Sequence, residues 1–81
     1  VKVKILLFGQ LRELTDHQKI DIELQADATA QDLVGLIGKR FPNTSELLKV
    51  TSVSINNEYV AKETDLSEGD LVGLLPPISG G

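Results

Sequence analysis

The sequence predicts an α+β domain, one mixed sheet with a single main helix packed across one face, on three observations. The opening residues alternate between apolar and charged, a capped apolar stripe of helical period occupies the middle, and a nearly continuous apolar run comes near the end. At 81 residues the chain has room for one such domain, near the lower size at which a core holds without disulfides or metals.

In Val1-Lys2-Val3-Lys4-Ile5-Leu6-Leu7-Phe8, residues Val1, Val3, Ile5 and Leu7 fall on one face and Lys2 and Lys4 on the other, the period of a strand. The second face turns apolar at Leu6 and Phe8, so that end of the sheet is either covered on both sides or exposes an apolar patch. A polar connection rich in turn formers around Thr15-Asp16-His17-Gln18 leads to a second alternation, Ile20-Asp21-Ile22-Glu23-Leu24, expected to pair antiparallel with the first. Thr29 then precedes Ala30-Gln31-Asp32, where a hydroxyl can cap free N–H groups and an acid sits in the positive first turn. The helix that follows is expected to bury Leu33, Leu36, Ile37 and Phe41 and to stop at Pro42. Gly35 and Gly38 fall off that stripe and have no evident role in it. Ser45 to Lys49 could add a short helical turn. Val53-Ser54-Ile55 and Tyr59-Val60 flank Asn56-Asn57-Glu58, which predicts a short hairpin or a bent strand, since Asn tolerates positive φ. Glu68-Gly69-Asp70 turns the chain into Leu71-Val72-Gly73-Leu74-Leu75, which reads as a central strand covered on both faces and ended by Pro76.

Composition narrows the function. The balance of 8 Lys plus Arg against 12 Asp plus Glu, net −4, leaves no concentrated basic face and argues against nucleic acid. The absence of cysteine excludes a disulfide framework, a thiolate metal site and a redox pair, and the single His17 makes neither a metal site nor a catalytic dyad. No apolar run is long enough to span a bilayer and no signal-peptide pattern opens the chain, so the sequence is read as a soluble, cytoplasmic protein without a membrane role. After the last strand, Pro76-Pro77-Ile78-Ser79-Gly80-Gly81 has the character of a slim extended tail. Glycine carries no Cβ, so Gly80 and Gly81 could enter a channel closed to other residues, although a frayed end is the competing reading.

The order strand, strand, helix, strand, strand is that of a ubiquitin-like β-grasp fold, in which the first and last strands pair side by side at the centre of the sheet, although other small α+β folds share the order. On this reading residues 1–75 form the β-grasp domain and residues 76–81 the tail. Leu11-Arg12-Glu13-Leu14, Ile55-Asn56-Asn57-Glu58-Tyr59, and Leu66-Ser67-Glu68-Gly69-Asp70 running into Leu74-Leu75-Pro76-Pro77-Ile78-Ser79-Gly80-Gly81 make the chain resemble the small, sulfur-carrying subunit of molybdopterin synthase. The resemblance covers the whole chain; among its parts the acidic-Gly-Asp turn is common to β-grasp sulfur carriers, whereas the Pro-Pro pair before the final glycines is characteristic of the molybdopterin branch. Members of that family often carry aromatics before the prolines, where this chain has Leu74 and Leu75.

The resemblance implies that the Gly81 carboxylate is adenylated by an ATP-consuming partner resembling a ubiquitin-activating enzyme. It is then converted to a thiocarboxylate, and its sulfur is donated to cyclic pyranopterin monophosphate (precursor Z) to build the molybdopterin dithiolene. The catalytic groups would lie on the large synthase subunit, and this chain would bind no cofactor of its own. Gly80 and Gly81 would be the chemical end, with Phe8, Tyr59, Leu75, Pro76, Pro77, Ile78 and Ser79 meeting the partner. Core packing is the competing reading for Phe8, Leu75 and Tyr59. Arg12 and Glu13 are read as a solvated turn or a rim ion pair, and Lys62, Glu63 and Asp65 as solubilising surface. A sulfur carrier for thiamin or another pathway, a ubiquitin-like modifier joined to lysine through Gly81, and a plain interaction module with an idle tail remain the alternatives.

Overall fold

The computed structural model describes residues 1–78. Five strands form one sheet in the order β2-β1-β5-β3-β4, with β1 at Lys2–Leu7, β2 at Lys19–Glu23, β3 at Ser52–Ile55, β4 at Glu58–Val60 and β5 at Leu71–Leu75. β1 and β5 run parallel through the middle of the sheet, Lys4 opposite Leu71 and Leu7 opposite Leu74, while the other pairings are antiparallel. The expected central pairing of the first and last strands is therefore present.

One face of the sheet carries the core. Val3, Ile5 and Leu7 of β1, Ile20 and Ile22 of β2, Val53 of β3, and Val72 and Leu74 of β5 are buried there. They share one cluster with Ala30, Leu33, Val34 and Ile37 of the main helix, α2, at Ala30–Arg40. Thr29 caps α2 as expected: the Asp32 N–H donates to Thr29 Oγ1 at 3.3 Å, and the Thr29 N–H donates to Asp32 Oδ2 at 2.9 Å. Two more free N–H groups, those of Ala30 and Gln31, donate to the carbonyls of Thr64 and Lys62, so the loop after β4 completes the cap.

Leu36 departs from the expected stripe and is 37% exposed, whereas Val34 is buried. At 3.6 residues per turn the buried arc of Ala30, Leu33, Val34 and Ile37 centres between Ile37 and Ala30, and Leu36 lies about 110° round the helix from that centre. The helix ends at Arg40, and Pro42 opens a 3₁₀ turn at Pro42–Thr44 that leads into α3 at Ser45–Leu48, the short turn anticipated from sequence.

The connection between β1 and β2 is a helix rather than an irregular link. α1 spans Gly9–Thr15 and buries Leu11 completely; Thr15 Oγ1 donates to the Leu11 carbonyl at 2.8 Å, and Asp16 ends the helix in the left-handed region at φ 58°. Asn56 and Asn57, at φ 52° and 73°, make the tight turn of the β3–β4 hairpin. Gly69, at φ 82°, makes the turn before β5, and its N–H donates to the Lys2 carbonyl at 2.8 Å. Among the described residues no helix is long and apolar enough to cross a membrane.

Replacing Thr29 by Ala removes the reciprocal cap and should cost about 1 kcal/mol. A domain of this size would then melt roughly 4–8 °C lower, measurable by circular dichroism.

Candidate functional site

The second face of the sheet has no layer packed on it among the described residues. β5 is thus covered on one side only: Val72 and Leu74 are fully buried, while Leu71 and Leu75 on the other side are half-buried. This corrects the expectation of a strand covered on both faces and explains its unbroken apolar run differently. One side serves the core and the other serves an exposed apolar strip.

The pairing registers place Lys19, Leu6, Gly73, Ser54 and Tyr59 in one row across all five strands of this open face. Gly73 at the centre of that row is roofed by its neighbours. A Cβ there would lie 2.6 Å from Ser54 Oγ, 3.3 Å from Leu75 Cδ1 and 3.5 Å from the Phe8 ring. A strand glycine marks a close approach, and here it lets the Phe8 ring and the Leu75 side chain lie down on the sheet. Phe8 remains 38% exposed on the outside, Tyr59 is 71% exposed, and neither they nor Leu75 belong to the buried core cluster.

The tail leaves from the same end. Because β1 and β5 are parallel, Phe8 and Pro76 follow their last residues side by side, and a shallow notch of about 380 Å³ is lined by Phe8, Gly9, Leu75, Pro76, Pro77 and Ile78. Gly9 starts α1 at φ 53°, a conformation that glycine adopts without strain, and a Cβ on it would lie 3.4 Å from the Pro76 ring. Pro76 is half-buried, Pro77 is exposed, and Ile78 is 93% exposed. Ser79, Gly80 and Gly81, expected from sequence to complete the site, lie outside the described residues.

The far half of the open face is charged. Lys2 opposes Glu23 and Lys4 opposes Asp21 across β1 and β2, with Glu68 beside them in a cleft at that end. Glu68 accepts a hydrogen bond from the Lys2 N–H at 3.0 Å. The face is therefore apolar beside the tail and of mixed charge away from it.

Phe8, Tyr59, Leu75, Pro76, Pro77 and Ile78 thus fall on or beside one surface. The exposed apolar patch at Leu6 and Phe8 is one of the two readings the sequence left open; sequence reasoning missed Gly9, Ser54 and Gly73, although a lone glycine inside an apolar strand was a readable sign of close approach. Arg12 and Glu13 are exposed on α1 rather than in a turn. His17 is exposed with its ring edge-on to Phe41, centroids 5.7 Å apart. Glu63 and Asp65 are exposed, but Lys62 is half-buried.

Comparison with known proteins agrees with this geometry. The model of the ThiS family matches residues 5–81. The chain belongs to the ThiS family. It is 32% identical to the molybdopterin synthase sulfur carrier subunit of Dictyostelium discoideum, covering 96% of this chain and 94% of that one. The subunit of the same name from Arabidopsis thaliana is 30% identical, with 100% and 84% covered. Among solved structures, SAMP1 from Haloferax volcanii superposes with a TM-score of 0.88 at 25% identity over 100% of both chains. A putative molybdopterin converting factor subunit 1 from Pyrococcus furiosus gives 0.87 at 31% identity, covering 96% and 99%. A complex of subunits 1 and 2 of the molybdopterin-converting factor from Helicobacter pylori gives 0.72 at 26% identity over 100% of both chains. The fold of this ThiS-family chain is accordingly the ubiquitin-like β-grasp.

In this ThiS-family chain Gly73→Ala should destabilise by about 1–3 kcal/mol through overpacking against Ser54. Ser54→Ala should recover part of that loss, and a double-mutant cycle by urea unfolding checks the coupling.

Proposed function

We propose that this chain is the sulfur carrier subunit of a molybdopterin synthase, and that the open sheet face docks the large catalytic subunit. The observation that carries the reading is the junction of two features at one end of the sheet. The exposed Phe8 and half-buried Leu75 adjoin the start of the tail, so a partner seated on them has the tail within reach. The names of the curated relatives, and the two-subunit Helicobacter pylori assembly, support it.

Residues 76–81 are the working segment on this reading. At about 3.3 Å per residue these six residues reach at most roughly 20 Å from the end of β5. Pro76 and Pro77 fix φ and reduce the freedom lost on insertion, and Gly80 and Gly81 fit a channel that a side chain would block. An α-carboxylate is ionised at neutral pH and a poor electrophile, so it needs activation. A carboxylate oxygen of Gly81 attacks the α-phosphorus of ATP on an adenylylating partner, pyrophosphate leaves, and a hydrosulfide-equivalent nucleophile then displaces AMP. The sulfur of the resulting thiocarboxylate attacks a side-chain carbon of precursor Z, forming a C–S bond as that carbon's C–O bond breaks and its oxygen substituent leaves; water then cleaves the acyl–sulfur bond, which leaves the thiolate on the pterin and restores the Gly81 carboxylate. A dithiolene contains two sulfurs, so two loaded chains serve each pterin.

The side chains of this subunit take no part in proton transfer in the proposed scheme; acids and bases belong to the large subunit. The same fold and tail would serve a protein modifier, and the similarity to SAMP1 favours that as the second reading.

Intact mass of the chain isolated from its host during active cofactor synthesis separates the two. One oxygen exchanged for sulfur at Gly81 supports the carrier; an amide to lysine supports the modifier; an unmodified carboxylate defeats both. For docking, Tyr59→Ala should leave stability within about 0.5 kcal/mol. It should weaken binding to the large subunit by about tenfold, measured calorimetrically, as expected of an aromatic anchor.

A further inference from the structure

Two glycines and three lysines on the helical layer have no part in the reading above. Gly35 and Gly38 occupy the interior of α2, where each costs about 1 kcal/mol relative to Ala. Internal packing does not require them. A Cβ at Gly35 would meet nothing within 4 Å, one at Gly38 would make an ordinary 3.5 Å contact with Leu48 Cδ1, and neither glycine has a positive φ. Together with the buried Val34 and Leu48 they line an open groove of about 450 Å³ beside α3.

The rim of that groove is basic. Lys39 comes from α2, Lys49 from the end of α3 and Lys62 from the loop after β4, and no carboxylate is among the lining residues. Three of the 8 basic residues of a chain with net charge −4 thus converge on one groove. Lys49 pairs with Glu46 at 2.6 Å, the one ion pair among the described residues, which leaves Lys39 and Lys62 without an acidic partner there. Lys62 is half-buried, and its carbonyl accepts from the Gln31 N–H at 2.8 Å, which fixes its backbone against α2.

We propose that this groove docks an extended, acidic segment of a partner protein, its backbone lying against Gly35 and Gly38 and its carboxylates reaching Lys39 and Lys62. The missing Cβ atoms admit main chain at close range. Charge complementarity selects acids, because an acidic protein that gathers three lysines around one groove attracts negative charge there. Carboxylates spaced along a chain fit better than a single phosphate. No arginine fork lines the groove, and the N–H groups of Ala30 and Gln31 at the start of α2 are already taken by carbonyls. The groove lies on the layer opposite the open sheet face, so both surfaces can be occupied at once, and its test does not depend on the sulfur-carrier reading.

The probe is an octapeptide alternating glutamate and glycine, titrated into the ¹⁵N-labelled chain and followed by amide chemical shifts. The glutamine version of the peptide and inorganic phosphate serve as comparisons. Shifts confined to residues 34–39, 48–49 and 62 with the glutamate peptide alone are expected. Lys39→Glu combined with Lys62→Glu should weaken them by about tenfold. Gly35→Leu should abolish the response by filling the floor, while Gly35→Ala keeps a sound helix and reduces it. Absence of groove shifts, an equal response to the glutamine peptide, or phosphate reproducing the pattern at the same concentration would overturn the proposal.

Discussion

The parallel pairing of β1 with β5 is the constraint on which the other features depend. It joins the two ends of the chain at the middle of the sheet, so each strand gives one face to the core and one to the outside. Parallel strands also finish at the same edge. That is why Phe8, the first residue past β1, and Pro76, the first past β5, emerge side by side, and why Gly9 must be a residue that accepts φ 53° beside the Pro76 ring. Had the two strands been antiparallel, the apolar patch and the tail would leave from opposite ends of the sheet.

The start of that pairing is held by a small polar cluster around Asp70. Its carboxylate accepts from the Ser67 N–H at 2.7 Å and from Asn56 Nδ2 at 3.1 Å, and its carbonyl accepts from the Lys4 N–H at 3.0 Å. Asn56 also exchanges hydrogen bonds with Leu71, its Oδ1 accepting from the Leu71 N–H and its own N–H donating to the Leu71 carbonyl. One acid and one amide thereby tie the β3–β4 hairpin turn, the turn before β5 and β1 together. Burying Asp70 to this degree is tolerable because its oxygens are satisfied, and removal of either partner would leave a desolvated polar group unpaired.

Where local period and turn chemistry carried the information, the fold was legible in the sequence. β1, β2, the cap and stop of α2, and the Asn-Asn hairpin all lie where alternation, capping and positive-φ residues place them. α1 was not legible, because a helix of seven residues offers only Leu11 and Thr15 as buried positions, too few to distinguish 3.6 periodicity from a loop. Leu36 was misplaced because three-residue spacing from Leu33 drifts off the stripe when the arc centre is set by Ala30 and Ile37. The aromatics proposed for docking could be named from the sequence, but their placement on one surface could not. Tyr59 and Leu6 become part of one row only through registers that span all five strands. The Asn56–Asp70 link is equally invisible, since nothing local relates residues so far apart.

In the proposed complex, the division of the open face gives different work to its two halves. Leu6, Phe8, Leu75 and Tyr59 offer apolar area that a partner can desolvate, the source of affinity in an interface centre. Lys2 and Lys4 of β1 face Glu23 and Asp21 of β2 with Glu68 beside them, opposite signs set against each other, and such groups at a rim contribute orientation and encounter rate more than binding strength. Orientation matters most if, as proposed, the reactive end of the protein is a short tail. A partner rotated on a uniformly apolar face would still bind, yet would carry its pocket out of the tail's reach of roughly 20 Å. A mixed-charge patch at the end remote from Pro76 gives the greatest leverage against that rotation, because a given angular error displaces it furthest from the apolar pivot.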